Sequence, residues 1–122
     1  MNYAFENVAF SPDLQTAYIV GKAYFKKRRF RVDERKFQYE LIKVSQYGSQ
    51  TQSFVDPGKY PEALYPVLIK DKLVCVGFYA DRKDNRYNGI AYFDVNPNSL
   101  NIKSQKYNPF SQQFMDDKFG RE

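Results

Sequence analysis

Two stretches of the chain, Thr16 to Phe25 (TAYIVGKAYF) and Lys72 to Tyr79 (KLVCVGFY), are almost continuously apolar, and each holds one interior Gly. Runs this short, built from β-branched and aromatic residues, predict strands covered on both faces. Phe37-Gln38-Tyr39-Glu40-Leu41 alternates instead, which predicts a strand with Phe37, Tyr39 and Leu41 on one face and the polar pair on the other. Gln50 to Val55 (QTQSFV) and Leu100 to Tyr107 (LNIKSQKY) predict more polar, outer strands. Turn chemistry falls between them, at Ser11-Pro12-Asp13, Asp56-Pro57-Gly58, Lys70-Asp71-Lys72, Asn88-Gly89 and Asn96-Pro97-Asn98-Ser99. One helix is expected, over Pro109 to Phe119, with Ser111 as its cap and Phe110, Phe114 and Phe119 or Met115 as an apolar stripe.

The pattern recurs. Setting Gly21 on Gly77, an offset of 56, overlays the two apolar runs, each preceded by another apolar segment and an Asp-containing turn. An offset of 51 then sets Tyr39 to Ser45 on Ile90 to Asn96, and Ser53 on Ser104. In both segments the apolar phase jumps by one residue, from Tyr39 and Leu41 to Ile42 and Val44, and from Ile90 and Tyr92 to Phe93 and Val95. Such a slip predicts a β-bulge in the third strand of each unit. Four strands graded from buried to polar in about 50 residues are the pattern of a propeller blade. The expected fold is therefore all-β: two four-stranded antiparallel blade-like sheets with a short C-terminal helix. Residues 1–58 make the first unit and residues 59–122 the second unit plus the helix. Two blades cannot close a ring, so the chain is expected to belong to a larger protein or to cover its open sheet edges by self-association.

Composition strengthens the strand prediction and removes several chemistries. Val, Ile, Thr, Phe and Tyr total 38 residues against 15 of Ala, Leu and Met. The 22 aromatic residues and a net charge of only +5 exclude a disordered chain. With no His there is no imidazole general base, His-containing zinc site or His-dependent triad, and one Cys makes neither an internal disulfide nor a cysteine metal cluster. No run approaches the ~18 apolar residues of a membrane-spanning helix, and residues 1–20 lack the basic and apolar regions of a secretory signal. Cys75 sits inside an apolar run, which predicts a packed, unreactive thiol.

The segments Val76-Gly77-Phe78-Tyr79-Ala80-Asp81-Arg82-Lys83 and Asn88-Gly89-Ile90-Ala91-Tyr92-Phe93-Asp94-Val95 resemble the blade hairpins of uncharacterised β-propeller-like repeat proteins of the Bacteroidetes. The resemblance covers the second unit better than the first, where Lys22-Ala23-Tyr24 follows Gly21, and the Trp-Asp and Gly-Gly signatures of other propeller families are absent. It implies a fragment of about two blades from an exported or envelope-associated scaffold. It implies no catalytic residue and no cofactor.

All of the excess charge lies in one segment. Lys22 to Lys36 holds eight positive and two negative residues, a net of +6, whereas the rest of the chain nets −1. Those residues belong to a hairpin loop five residues longer than its counterpart in the second unit. Lys26, Lys27, Arg28, Arg29 and Arg31 are the candidate anion-binding residues, because Arg presents paired donors to phosphates while Phe30 adds a stacking surface. A solvated hairpin tip whose charge keeps a strand edge from pairing explains the same residues. Asp81, Asp84, Asn85 and Asn88 before Gly89 offer oxygen ligands without the spacing of a calcium loop, and Arg82, Lys83 and Arg86 oppose an ion there. No metal site is expected.

The expected function is a non-enzymatic binding or scaffolding module of a larger β-propeller-like protein, with a protein partner rather than a nucleic acid. Two alternatives stand beside it: polyanion binding through residues 22–36, and an enzyme whose active site lies outside this chain. Heparin chromatography separates the first. Polyanion binding predicts retention that falls steeply with salt and disappears when Lys26, Lys27, Arg28 and Arg29 become Ser; a solvated tip predicts retention indifferent to those four changes.

Overall fold

A computed structural model describes residues 2–26, 32–54, 59–81 and 87–119. Eight strands form two antiparallel sheets, each in chain order. The first contains β1 (Asn2–Phe10), β2 (Thr16–Lys26), β3 (Val32–Ser45) and β4 (Gly48–Phe54). The second contains β5 (Lys59–Ile69), β6 (Lys72–Asp81), β7 (Gly89–Val95) and β8 (Ile102–Pro109), followed by α1 (Gln112–Phe119). The two apolar glycine-containing runs are the second strands of their sheets, β2 and β6. Of the expected breaks, Asp56-Pro57-Gly58 lies outside the described residues.

Local chemistry closes the turns. The Ser11 hydroxyl donates to Asp13 at 2.6 Å and accepts from the Thr16 N–H at 3.1 Å, while the Gln15 N–H donates to Asp13 at 3.0 Å. These donors, the Ser11 hydroxyl foremost, hold the Asp13 carboxyl below its ordinary pKa. The β5–β6 hairpin turns on two residues, with Lys70 at a φ of 54°, and Gly48 takes a φ of 128° where β4 begins. Asn96 accepts from the N–H groups of Asn98 and Ser99 at 2.8 and 3.1 Å, folding the β7–β8 turn. Ser111 caps α1 as expected, its hydroxyl accepting from the Phe114 N–H at 3.1 Å. Phe110 bridges Phe114 and Phe78 at ring separations of 4.6 and 6.1 Å, which ties the helix to one end of the second sheet.

Strand pairing places corresponding residues at corresponding positions. Gly21 pairs with Glu40 and Gly77 with Ala91, so the offsets of 56 and 51 read from the sequence both match the register. The fourth strand does not follow. Glu40 pairs with Ser53 but Ala91 pairs with Tyr107, an offset of 54, because the β7–β8 connection from Val95 to Ile102 is two residues longer than that from Val44 to Ser49 and a register shift leaves Lys103 as one further residue in β8. Ser104 pairs with Asp94 instead and is not the counterpart of Ser53.

At Leu41–Ile42 of β3 and Tyr92–Phe93 of β7, where the phase jump predicts a bulge, none is present. Register runs unbroken from Tyr24↔Phe37 to Thr16↔Ser45, and from Tyr79↔Gly89 to Leu73↔Val95. Along β7, Gly89, Ala91, Phe93 and Val95 are buried, whereas Ile90, Tyr92 and Asp94 are more open, a strict alternation. The apolar phase jump has another cause: both faces of these strands are apolar. Register shifts occur elsewhere: between Phe5 and Asn7 in β1, between Glu62 and Tyr65 in β5, between Tyr24 and Lys26 where β2 pairs with β3, and between Asp94 and Val95 where β7 pairs with β8.

The core is the space between the sheets. Tyr18, Val20, Tyr39, Leu41 and Phe54 enter it from the first sheet. Leu64, Leu73, Cys75, Phe93 and Val95 meet them from the second, and the rings of Phe54 and Phe93 touch at 4.8 Å. Each such fully buried side chain contributes about 1.5–3 kcal/mol of transfer free energy. Gly89 is required here by space: a Cβ would lie 2.3 Å from the Asn108 carbonyl oxygen and 2.6 Å from the Tyr79 ring. Gly89→Ala should therefore cost about 2 kcal/mol or more, read as a lower midpoint of urea unfolding. An unchanged midpoint would contradict the packing of β6 against β7 and β8.

Candidate functional site

The chemistry of the molecule concentrates where β5 crosses the first sheet. Ala63 and Leu64 together stand opposite Gly77 in the β5 bulge, and Ala63 takes a φ of 50° to do so. A bulge turns backbone groups out of the ladder, and buried groups so released need partners. The first sheet supplies both. The Ala63 N–H donates to the Tyr39 hydroxyl at 2.9 Å, and the Leu64 carbonyl accepts from the Asn7 side-chain amide at 2.7 Å. The Tyr39 hydroxyl in turn donates to Glu6 at 2.9 Å, and Lys22 lies 3.6 Å from the same carboxylate and 5.7 Å from the Tyr39 ring centre. A third bond between the sheets runs from the Tyr18 hydroxyl to the Pro97 carbonyl at 2.9 Å. Burial raises the pKa of Tyr18, so its phenol stays protonated and able to donate.

These polar groups hold one sheet on the other. Cys75 is buried, and desolvation pushes its thiol up to about 12, far from a thiolate at neutral pH. A depression of about 360 Å³ at the β3–β4 turn is lined by Lys43, Ser45, Tyr47, Gly48, Ser49 and Gln50, with no carboxylate or thiol among them. Among the described residues no three His, Cys, Asp or Glu side chains gather to hold a metal ion, and no helix is long and apolar enough to cross a membrane.

The surface features of note are the two outer faces of the sheet pair. On the first sheet Val8, Ile19 and Ile42 form one cross-strand row, and Phe10, Ala17 and Val44 the next. Phe5 and Phe10 remain 64% and 57% exposed. On the second sheet Tyr65, Val76 and Tyr92 form a row beside Val67 and Val74, and Tyr65 and Ile69 are 55% and 58% exposed. On both outer faces, then, apolar residues run in cross-strand rows rather than standing singly. Glu40 interrupts the first face. It is 6% exposed, its Oε2 accepts from the Ser53 hydroxyl at 3.3 Å, and its Oε1 is buried without a partner.

Of the candidate anion-binding residues, Lys27, Arg28, Arg29 and Arg31 lie outside the described residues, and Lys26 is known only as the last residue of β2, paired with Val32. Asp84 and Asn85 lie outside them too, as do Arg82, Lys83 and Arg86. The backbone of Asn88 serves the fold, its N–H donating to Tyr79 and its carbonyl accepting from Phe110, each at 2.8 Å. The sequence did not point to Asn7 or Ala63. It carried the signal for the outer faces in the phase jump at Leu41-Ile42 and Tyr92-Phe93, where apolar residues occupy both strand parities.

No family model, curated protein or solved structure matches this chain. Tyr39→Phe removes the acceptor for Ala63 and should cost about 1–3 kcal/mol in urea unfolding, because a half-buried N–H loses its partner. Combined with Asn7→Ala it should deviate from additivity, since both side chains hold one bulge. Simple additivity would show the two bonds to be independent.

Proposed function

We propose that the chain is a non-enzymatic binding or scaffolding module of a larger β-propeller-like assembly, and that its outer sheet faces are its working surfaces. The observation that carries this reading is the correspondence between buried and open positions. The first sheet's outer residues Val8, Phe10, Ala17, Ile19, Ile42 and Val44 hold the register positions that in the second sheet are Pro66, Leu68, Leu73, Cys75, Phe93 and Val95. Those six meet the first sheet or are packed beside that interface. The outer face of the second sheet likewise corresponds to the inner face of the first: Val76 to Val20, Ile90 to Tyr39, Tyr92 to Leu41. Each uncovered face is thus composed like a covered one.

Two repeats related by a two-fold axis would bury the same face of each. Here opposite faces are buried, the arrangement of successive propeller blades, which supports the blade reading over an ordinary sandwich.

Dilute protein should enhance the fluorescence of anilinonaphthalene sulfonate, a dye that reports uncovered apolar surface. Val8→Lys or Val67→Lys should each remove part of the signal and the double variant most of it, with far-ultraviolet circular dichroism unchanged. Tyr47→Lys, at a 90% exposed turn position off both faces, should leave the signal intact. A native chain that ignores the dye would refute the proposal.

A further inference from the structure

We infer that the occupant of each outer face is a second copy of this chain, docked head to tail, with the outer face of one copy's second sheet on the outer face of the next copy's first sheet. The inference rests on the blade-like correspondence just described and adds the partner and the geometry. The contact between the two sheets within one chain is its template. Its second-sheet side corresponds, position by position, to the outer face of the first sheet, and its first-sheet side to the outer face of the second. The next contact therefore continues the one already made, and the chain carries both halves of it on opposite sides.

Register carries individual contacts across. The bond from Asn7 to Leu64 places Tyr65 of one copy over the Phe5–Glu6 segment of the next, because Tyr65 corresponds to Asn7 and Glu6 to Leu64. The Tyr39–Ala63 bond places Ile90 against Phe5, and the Phe54–Phe93 contact places Asn108 against Ile42. Charge agrees. Among the described side chains the first sheet's outer face bears Glu40 alone, with its buried, unpartnered oxygen. On the second sheet's outer face Lys72 lies 3.9 Å from Asp94, and Lys106 stands in the row of Tyr92. The joint between copies lacks the bulge clamp, since the counterparts of Asn7 and Tyr39 are Tyr65 and Ile90. It is consequently weaker than the joint within the chain and reversible on dilution.

A heterologous contact leaves like faces apart, and this makes it testable. Phe5→Cys and Tyr65→Cys alter exposed side chains on opposite faces. Treated with a short bismaleimide at concentrations where light scattering reports more than a monomer mass, neither variant alone should crosslink. Their mixture should, with dimer yield at least about tenfold higher, and the doubly substituted chain should give a ladder of higher multimers. The wild-type chain serves as the blank, because Cys75 is buried. Crosslinking of either single variant to itself would overturn the inference by showing that like faces meet. A monomeric mass with no crosslinking in the mixture would overturn it as well; dye binding by the outer faces, if retained, would then leave the scaffolding proposal standing with a different partner.

Discussion

A strand shows alternate residues to opposite sides, and that two-residue period governs both the core and the surface of this protein. Once Tyr39 and Leu41 face the second sheet, Glu40, Ile42 and Val44 must face away. The second sheet is turned so that Ala91, Phe93 and Val95, the counterparts of those outward residues, face inward. The two sheets are equivalent in strand order, and in register across the central parts of their first three strands, yet bury opposite sides. Stacking of this kind has no natural end within two sheets, which is why apolar surface remains on both outer faces.

The bulge clamp keeps the stack in one register. Apolar side chains between two sheets drive association without specifying a lateral position. The β5 bulge adds specificity: it turns out one N–H and one carbonyl, and only one placement of the first sheet brings Tyr39 and Asn7 to both. Bulges in β1 and β5 occupy equivalent places, opposite Gly21 and Gly77. At Gly21 an added Cβ would lie 2.9 Å from the Ala4 carbonyl oxygen and 3.1 Å from the Phe5 ring, so the first strand passes too close there for a side chain.

Much of the fold was legible because it depends on short-range chemistry. Strand composition, the turns at Ser11–Asp13, Lys70-Asp71 and Asn96–Ser99, the Ser111 cap and the two offsets across β2–β3 and β6–β7 all follow from residues close together in the chain. Two expectations failed for a shared reason. A phase jump in apolar residues means a bulge when one face is buried and means nothing of the kind when both faces are apolar; the linear pattern is the same. Ser53 and Ser104 align by identity, but a longer turn and the extra residue Lys103 in β8 move the register, and both are decided by how β7 and β8 pair.

From the sequence alone came the all-β class, the eight strands, the absence of imidazole chemistry and the concentration of positive charge in residues 22–36. Those properties are set by residue type and by neighbours along the chain. Tertiary structure decided which side of each sheet is covered, that Asn7 and Tyr39 hold the Ala63–Leu64 bulge, and that Glu40 is buried in an apolar face. Each of these depends on residues far apart in sequence meeting in space, and a period-two pattern marks two sides of a strand without saying which will find a partner.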